Sequence, residues 1–282
     1  MKTLNNCKKL LIEVNQTCNL NCTYCFYRDY GRVSNSLSIE NIEEMLEKCP
    51  NVDEFFLTGG ECFTSKNIDQ IIDKLSDKGY LTIFTNGVKL NDYDDKHLLE
   101  TVNKVDRFII SFDHYDYENF VCRKFLNKTL SVIKRILEID KERLEVKVCI
   151  SKFNDKDLED IFKYLIDLGV KYLSINFIFD IKNTPYKHEI KNKKELKSIF
   201  KIIDKYISYF NEPYIEVLRD LYLNDKTTSK YPCLADSKYF YLDCCDKYYI
   251  CPGNCKKIGD RGDYKKCFSK ECINEWEIMY RR

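Results

Sequence analysis

Cys18-Asn19-Leu20-Asn21-Cys22-Thr23-Tyr24-Cys25 holds three thiols in eight residues, with three residues between the first pair and two between the second. Directly before it runs Leu10-Leu11-Ile12-Glu13-Val14, an apolar stretch that reads as a buried strand, so the thiols fall on the loop that leaves it. Three thiolates on one short loop can each ligate one iron of a 4Fe-4S cube, leaving the fourth iron without a protein ligand and open for chemistry. The alternatives are a structural zinc knuckle or ordinary buried thiols. Zinc usually takes a fourth Cys or His, and none lies close in sequence.

Outward from this loop, short apolar runs alternate with longer amphipathic ones as far as residue 210. Strands are expected at 9–14, 54–57, 81–85, 107–112, 145–150 and 172–176. Helices are expected at 38–48, 67–78, 94–103, 127–139, 155–168 and 193–209, with Ser38 as an N-cap and Gly79 and Gly169 as left-handed C-caps. Six strand–helix units predict an α/β fold with a parallel sheet and right-handed crossovers. An open doubly wound sheet and a partial barrel both fit, and in either one ligands gather at the C-terminal ends of the strands.

Polar or glycine-rich signals follow several of these strands. The second runs into Thr58-Gly59-Gly60-Glu61, where paired glycines allow close backbone approach to a ligand and Glu61 offers an acceptor for an ammonium group. An ordinary glycine turn reads equally well there, as it does for Thr85-Asn86-Gly87 after the third strand. The fourth ends in Ser111-Phe112-Asp113, whose alternation puts Ser111 and Asp113 on one face, suited to a sugar diol or to capping the next segment. Asn176 closes the sixth strand. All four signals stand at the same end of one sheet as the Cys loop.

Composition narrows the classes. Of 282 residues 44% are hydrophobic and 32% charged, at a net charge of +1, which makes no electrostatic case for nucleic acid or an anionic membrane as partner. No run of about 18 apolar residues suggests a membrane span, and Met1-Lys2-Thr3-Leu4-Asn5-Asn6 lacks a signal-peptide core, so a cytoplasmic location is expected. Fifteen cysteines in such a setting favour metal or cluster ligation over disulfides. Cys7, Cys49, Cys62, Cys122 and Cys149 are scattered and read as ordinary buried thiols, whereas seven others crowd the last 50 residues.

Near Asn211-Glu212-Pro213 the strand–helix alternation stops, since Pro213 discourages continuation of the preceding helix. The expected division is a barrel over 1–210 and a small Cys-rich unit over 211–282. Two short apolar stretches around Cys245-Asp246 predict a β-hairpin, with Cys233 before it and Cys251 at its far end.

The chain resembles the radical S-adenosylmethionine (SAM) enzymes over essentially its whole length, most specifically in the Cys18/Cys22/Cys25 spacing with Tyr24 just before the last Cys. The resemblance implies a partial six-unit (β/α) TIM-like barrel, a 4Fe-4S cluster on those three cysteines, and SAM chelating the open iron. It implies SAM contacts at Gly59, Gly60 and Glu61 (amine), the Tyr24 backbone (adenine), Ser111 and Asp113 (ribose region), Asn176 (adenosine) and Arg123 (carboxylate). An ordinary solvent-facing charge is the alternative for Arg123. In that family reductive SAM cleavage yields a 5′-deoxyadenosyl radical that abstracts hydrogen from an unactivated C–H bond.

The C-terminal segment is similar to the SPASM and twitch auxiliary-cluster units, with Asp246 standing where their turn glycine does. That likeness implies an auxiliary 4Fe-4S cluster on Cys233, Cys251, Cys267 and Cys272, with Cys244, Cys245 and Cys255 in reserve and a zinc site on the same thiolates as the alternative. The function it implies is modification of a ribosomally made peptide, by epimerisation or by thioether or carbon crosslinking. An epimerase would need a hydrogen-donating thiol, for which Cys62, Cys122 and Cys149 are candidates. Expected partners are the peptide, a separate leader-recognition protein (the Cys motif starts at residue 18) and a low-potential electron donor such as flavodoxin or ferredoxin. Radical SAM oxidation or rearrangement of a small molecule is the second reading, and a non-catalytic zinc-binding interaction module the third.

Overall fold

The computed structural model describes residues 4–116, 120–180, 185–226, 233–235 and 237–250. Six parallel strands follow one another across the sheet: β1 Lys9–Glu13, β2 Glu54–Thr58, β3 Tyr80–Thr85, β4 Arg107–Ser111, β5 Leu144–Ile150 and β6 Tyr172–Phe177. Between and after them lie α1 Tyr27–Tyr30, α2 Ile39–Lys48, α3 Ile68–Ser76, α4 Asp95–Lys104, α5 Leu126–Asp140, α6 Leu158–Asp167 and α7 Lys193–Lys205. The unbroken strand order from β6 to β1 gives the partial barrel and not the doubly wound alternative, whose strand order reverses partway.

Strand alternation separates two faces. Ile12, Leu57, Ile83, Ile110, Val148 and Ile175 point outward into one continuous core with the apolar faces of the helices. The inner face carries Leu11 and Phe56 in a smaller apolar cluster, and Thr82, Glu145, Lys147 and Ser174 as buried polar groups. Local signals worked as expected at two caps. Ser38 and Asn41 form a reciprocal capping box at the start of α2, and Gly169 closes α6 with φ 98°. Gly79 does not act as a left-handed cap. It is required because a Cβ there would meet the Asp53 carbonyl oxygen at 2.5 Å.

Past residue 210 two features depart from the expected pattern. Pro213 sits in the first turn of a further helix, α8 Glu212–Tyr222, where its missing N–H has no intrahelical role. Tyr214, Ile215, Val217, Leu218 and Tyr222 of α8 join the main core. Their spacing was a legible helical signal beyond the proline. Second, β7 Tyr239–Leu242 pairs in parallel with β1 and so extends the barrel sheet, and β8 Tyr248–Tyr249 returns antiparallel to it. This is the expected hairpin, and Asp246 adopts the left-handed conformation at φ 58° in its turn. Among the described residues no helix is long and apolar enough to cross a membrane.

Candidate functional site

The Cys loop leaves the C-terminal end of β1, and Cys18, Cys22 and Cys25 are all free and partly accessible. Donors converge on two of the sulfurs. Leu20 N lies 3.4 Å and Asn86 Nδ2 3.8 Å from Cys18 Sγ, and an Arg32 guanidinium nitrogen lies 3.6 Å from Cys25 Sγ. Burial pushes the Cys22 thiol up to about 11, so metal binding there releases a proton. Among the described residues no three His, Cys, Asp or Glu side chains are grouped to hold a single metal ion. A cube places each thiolate on a different iron, and N–H donors aimed at the sulfurs suit its thiolates. The donor set therefore fits a 4Fe-4S cluster.

Gly59 and Gly60 zip the end of β2 to the start of this loop. Gly60 N donates to Asn15 O at 2.8 Å and Glu61 N to Thr17 O at 2.8 Å. A Cβ on Gly60 would lie 2.3 Å from the Thr17 carbonyl oxygen, and one on Gly59 2.4 Å from that of Asn15. The close approach that these glycines allow is thus to the chain's own backbone. The Glu61 carboxylate accepts from Thr85 Oγ1 at 2.6 Å, Asn86 N at 2.7 Å and Phe63 N at 3.2 Å. Burial outweighs these three donors and raises its pKa. Glu61 clamps the end of β2 to the end of β3, and Asn86 in turn reaches Asn19 Oδ1 at 2.8 Å on the Cys loop.

Tyr24, Asp113 and Arg123 form one buried cluster. Arg123 Nε lies 2.7 Å from Asp113 Oδ2 and 3.0 Å from the Tyr24 hydroxyl, which also donates to Asp113. Asp113 Oδ1 accepts from Cys149 N at 3.0 Å, and its backbone carbonyl accepts from Asn154 Nδ2 at 3.0 Å. Arg123 is only 7% exposed, so it is not a solvent-facing charge. The cluster ties the Cys loop to the ends of β4 and β5, placing charge beside the thiols without leaving it unpaired.

Ser111 ends β4 on the inner face, as alternation predicted, and Asn176 on β6 stands in register with Cys149 and accepts from the Tyr214 hydroxyl at 2.7 Å. Of the three scattered thiols weighed as hydrogen donors, Cys62 belongs to the outer core and points at the Phe84 carbonyl oxygen. Cys122 is buried behind Thr23, whose N–H bonds its carbonyl oxygen at 3.1 Å. Cys149 lies on the inner face among the site residues. Sequence reasoning passed over His188, which is buried, bonds Thr23 Oγ1 through Nε2 at 3.1 Å and meets the Tyr24 ring edge-on at 5.6 Å. A lone His 165 residues from its partner carries no local signal. Cys233 precedes β7, whereas Cys251, Cys255, Cys267 and Cys272 lie outside the described residues. Cys244 and Cys245 sit in the hairpin turn, with Asn35 Nδ2 3.3 Å from Cys245 Sγ.

Comparison with known proteins agrees with this geometry. The profile of the radical SAM superfamily matches residues 12–165, more than half of the chain. A probable GTP 3′,8-cyclase of Methanocaldococcus jannaschii is 26% identical over 191 residues, covering 65% of this chain and 61% of that one. The GTP 3′,8-cyclase of Campylobacter jejuni (strain RM1221) is 26% identical over 208 residues, covering 70% and 63%. This chain thus spans less than two thirds of the length of either relative. In fold it is similar to Streptococcus suis SuiB bound to precursor peptide SuiA, with a TM-score of 0.69 at 17% identity over 96% of this chain and 64% of that one.

Proposed function

From its membership of the radical SAM superfamily, to which this chain belongs, we propose that it is an enzyme that abstracts hydrogen from a peptide held in the barrel mouth, as a maturation step of a ribosomally made peptide. The observation that carries the enzymatic part is the convergence of three free thiols with Glu61, Asn86, Asp113 and Arg123 at one end of the sheet. The superfamily uses a 4Fe-4S cluster and SAM, and when bound these supply a 5′-deoxyadenosyl radical by reductive cleavage of SAM. Cys18, Cys22 and Cys25 would hold the cluster.

The chain's own residues bind and orient. Gly59, Gly60 and Glu61 would offer their strand-end backbone to the SAM amine, because the Glu61 side chain is already engaged by three donors. The Tyr24 backbone is assigned to the adenine, Ser111 and Asn176 to the nucleoside, and Asp113 and Arg123 to the ribose and carboxylate side. The last two are held in place by their mutual ion pair. The segment from 211, with Cys233, Cys251, Cys267 and Cys272 as ligands, is assigned to a twitch-like unit with an auxiliary cluster.

Two observations support a peptide. SuiB, whose fold this chain shares, is described with a precursor peptide bound. Exposed apolar side chains also stand on the segments that follow β1, β4, β5 and β6, namely Phe26, Val33, Val121, Phe125, Phe153 and Tyr186, and apolar surface on those segments suits an extended peptide. The names of the curated relatives favour a second reading, chemistry on a small molecule such as a nucleotide. A low-potential flavodoxin or ferredoxin is the proposed electron source in both.

Anaerobically reconstituted and reduced protein should cleave SAM to 5′-deoxyadenosine, and Cys22→Ala should abolish this. Cleavage that survives Cys22→Ala, or none by the loaded wild type under strong reductant, would overturn the assignment.

A further inference from the structure

Arg32 stands on the segment that leaves the Cys loop, seven residues past Cys25. Its guanidinium is held at three points. One nitrogen donates to the Gln16 carbonyl oxygen at 3.1 Å, a second lies 3.6 Å from Cys25 Sγ, and the guanidinium carbon sits 5.2 Å from the centre of the Tyr27 ring. It also bonds the Cys18 side chain. Val33 N donates to Gln16 Oε1 at 2.9 Å, so the backbone beside the arginine is fastened to the same glutamine.

The supports of this arginine are themselves fixed. Tyr27 is buried, and its hydroxyl donates to the Glu13 carboxylate. Gln16 Nε2 donates to the other oxygen of that carboxylate at 3.0 Å, and Cys244 N of the C-terminal hairpin lies 3.4 Å from it. Glu13 thus anchors both the ring beneath Arg32 and the glutamine beside it. Holding a rotamer-rich side chain in one place costs entropy, which calls for a compensating contact. For Arg123, the other guanidinium near the thiols, that contact is Asp113, whereas among the described residues Arg32 forms no ion pair with a carboxylate. Desolvation alone would lower the Arg32 pKa, and Cys25 and Cys18 outweigh it and raise it.

We propose that Arg32, seated on Tyr27, sets the reduction potential of the loop cluster by placing a positive charge against two of its three thiolates. The inference rests on the cluster assignment in the proposed function and is independent of the substrate. Reduction adds one electron from the flavodoxin or ferredoxin donor and breaks no bond, so the cluster and its thiolates gain one negative charge. A fixed cation and N–H donors at the sulfurs stabilise the reduced form more than the oxidised one, which raises the potential. Arg32 therefore makes the cluster easier for its donor to reduce.

Redox titration of the reconstituted full chain without SAM, followed by electron paramagnetic resonance, reads this directly. The loop cluster is the signal that Cys22→Ala removes. In Arg32→Met its reduction equilibrium should fall about tenfold, which is about 59 mV for one electron. Arg32→Gln keeps a donor for the Gln16 carbonyl and drops the charge; it should give the same fall, and it serves if the methionine variant fails to load. Arg32→Lys keeps the charge and should recover about half of the shift, because lysine lacks the planar fork that reaches two sulfurs. A midpoint unmoved in a loaded neutral variant, or a lysine variant no better than the neutral ones, overturns the inference. A wild type with no signal that Cys22→Ala removes overturns the cluster assignment itself, a result distinct from an unmoved midpoint.

Discussion

Arg123 illustrates how little a single residue's chemistry says before its neighbours are known. An arginine ten residues beyond Asp113 could face water, yet it lies buried against that carboxylate and the Tyr24 hydroxyl. Removing one partner of a buried pair leaves the other charge without compensation, at a cost of about 3–5 kcal/mol. Arg123→Met should lower unfolding stability by that amount in denaturant titration. Adding Asp113→Asn should restore part of it, since the amide oxygen can still accept from Cys149 N. If the double variant is no more stable than Arg123→Met alone, the carboxylate is not the source of the loss. Glu61 shows the same principle with a different outcome. Its side chain would have suited an ammonium group, and the folded chain uses it to join two strand ends.

Secondary-structure elements were more legible than individual contacts, because their signals are local. Ser38 three residues before Asn41 specifies a capping box whatever the rest of the chain does. Ser38→Ala should cost about 1 kcal/mol, seen as a lower melting temperature. An unchanged melting temperature would mean that packing of Ile42 and Met45 alone holds α2. The left-handed Asp246 was legible for the same reason, and Asp246→Val should destabilise the hairpin by about 1–2 kcal/mol. Thermal unfolding that is no easier in that variant would show the turn to be unimportant. Helix α8 was not expected, because Pro213 was weighed only as discouraging the preceding helix, which does end before it, although proline is equally at home in a first helical turn. Gly79 was misread as a cap because its need arises from Asp53, a residue on the preceding connection and not on its own helix.

At the scale of the whole molecule, the continuous strand order carries the loops after β1, β2, β3 and β4 to one end, where the thiols, Glu61, Asn86 and Asp113 meet. The pairing of β7 with β1 brings the hairpin beside the same strand that launches the Cys loop. Cys244 N lies 3.4 Å from the Glu13 carboxylate, to which Tyr27 just past that loop also donates. If the C-terminal cysteines hold a second cube, anaerobically purified protein should contain about eight irons and eight sulfides per chain. About four of each, with zinc making up the remainder, would leave a single cluster and a zinc site.

Sequence alone determined the alternation of strands and helices, a parallel α/β sheet, the thiol loop at the end of β1 and the end of the sheet where chemistry belongs. All of these rest on spacings within a dozen residues, where backbone geometry links position directly to face. Strand order in the folded chain decided for the barrel over the doubly wound sheet. Tertiary structure alone decided that Arg123 pairs with Asp113 and Tyr24, that Glu61 is spent on Thr85 and Asn86, and that β7 completes the sheet beside β1. It also decided that Arg32 sits over the Tyr27 ring beside Cys25. Partners such as Tyr24 and Arg123 lie 99 residues apart, and no local pattern encodes such a meeting. They are brought together by strand order and register, which the chain settles by burying its outer face as a whole.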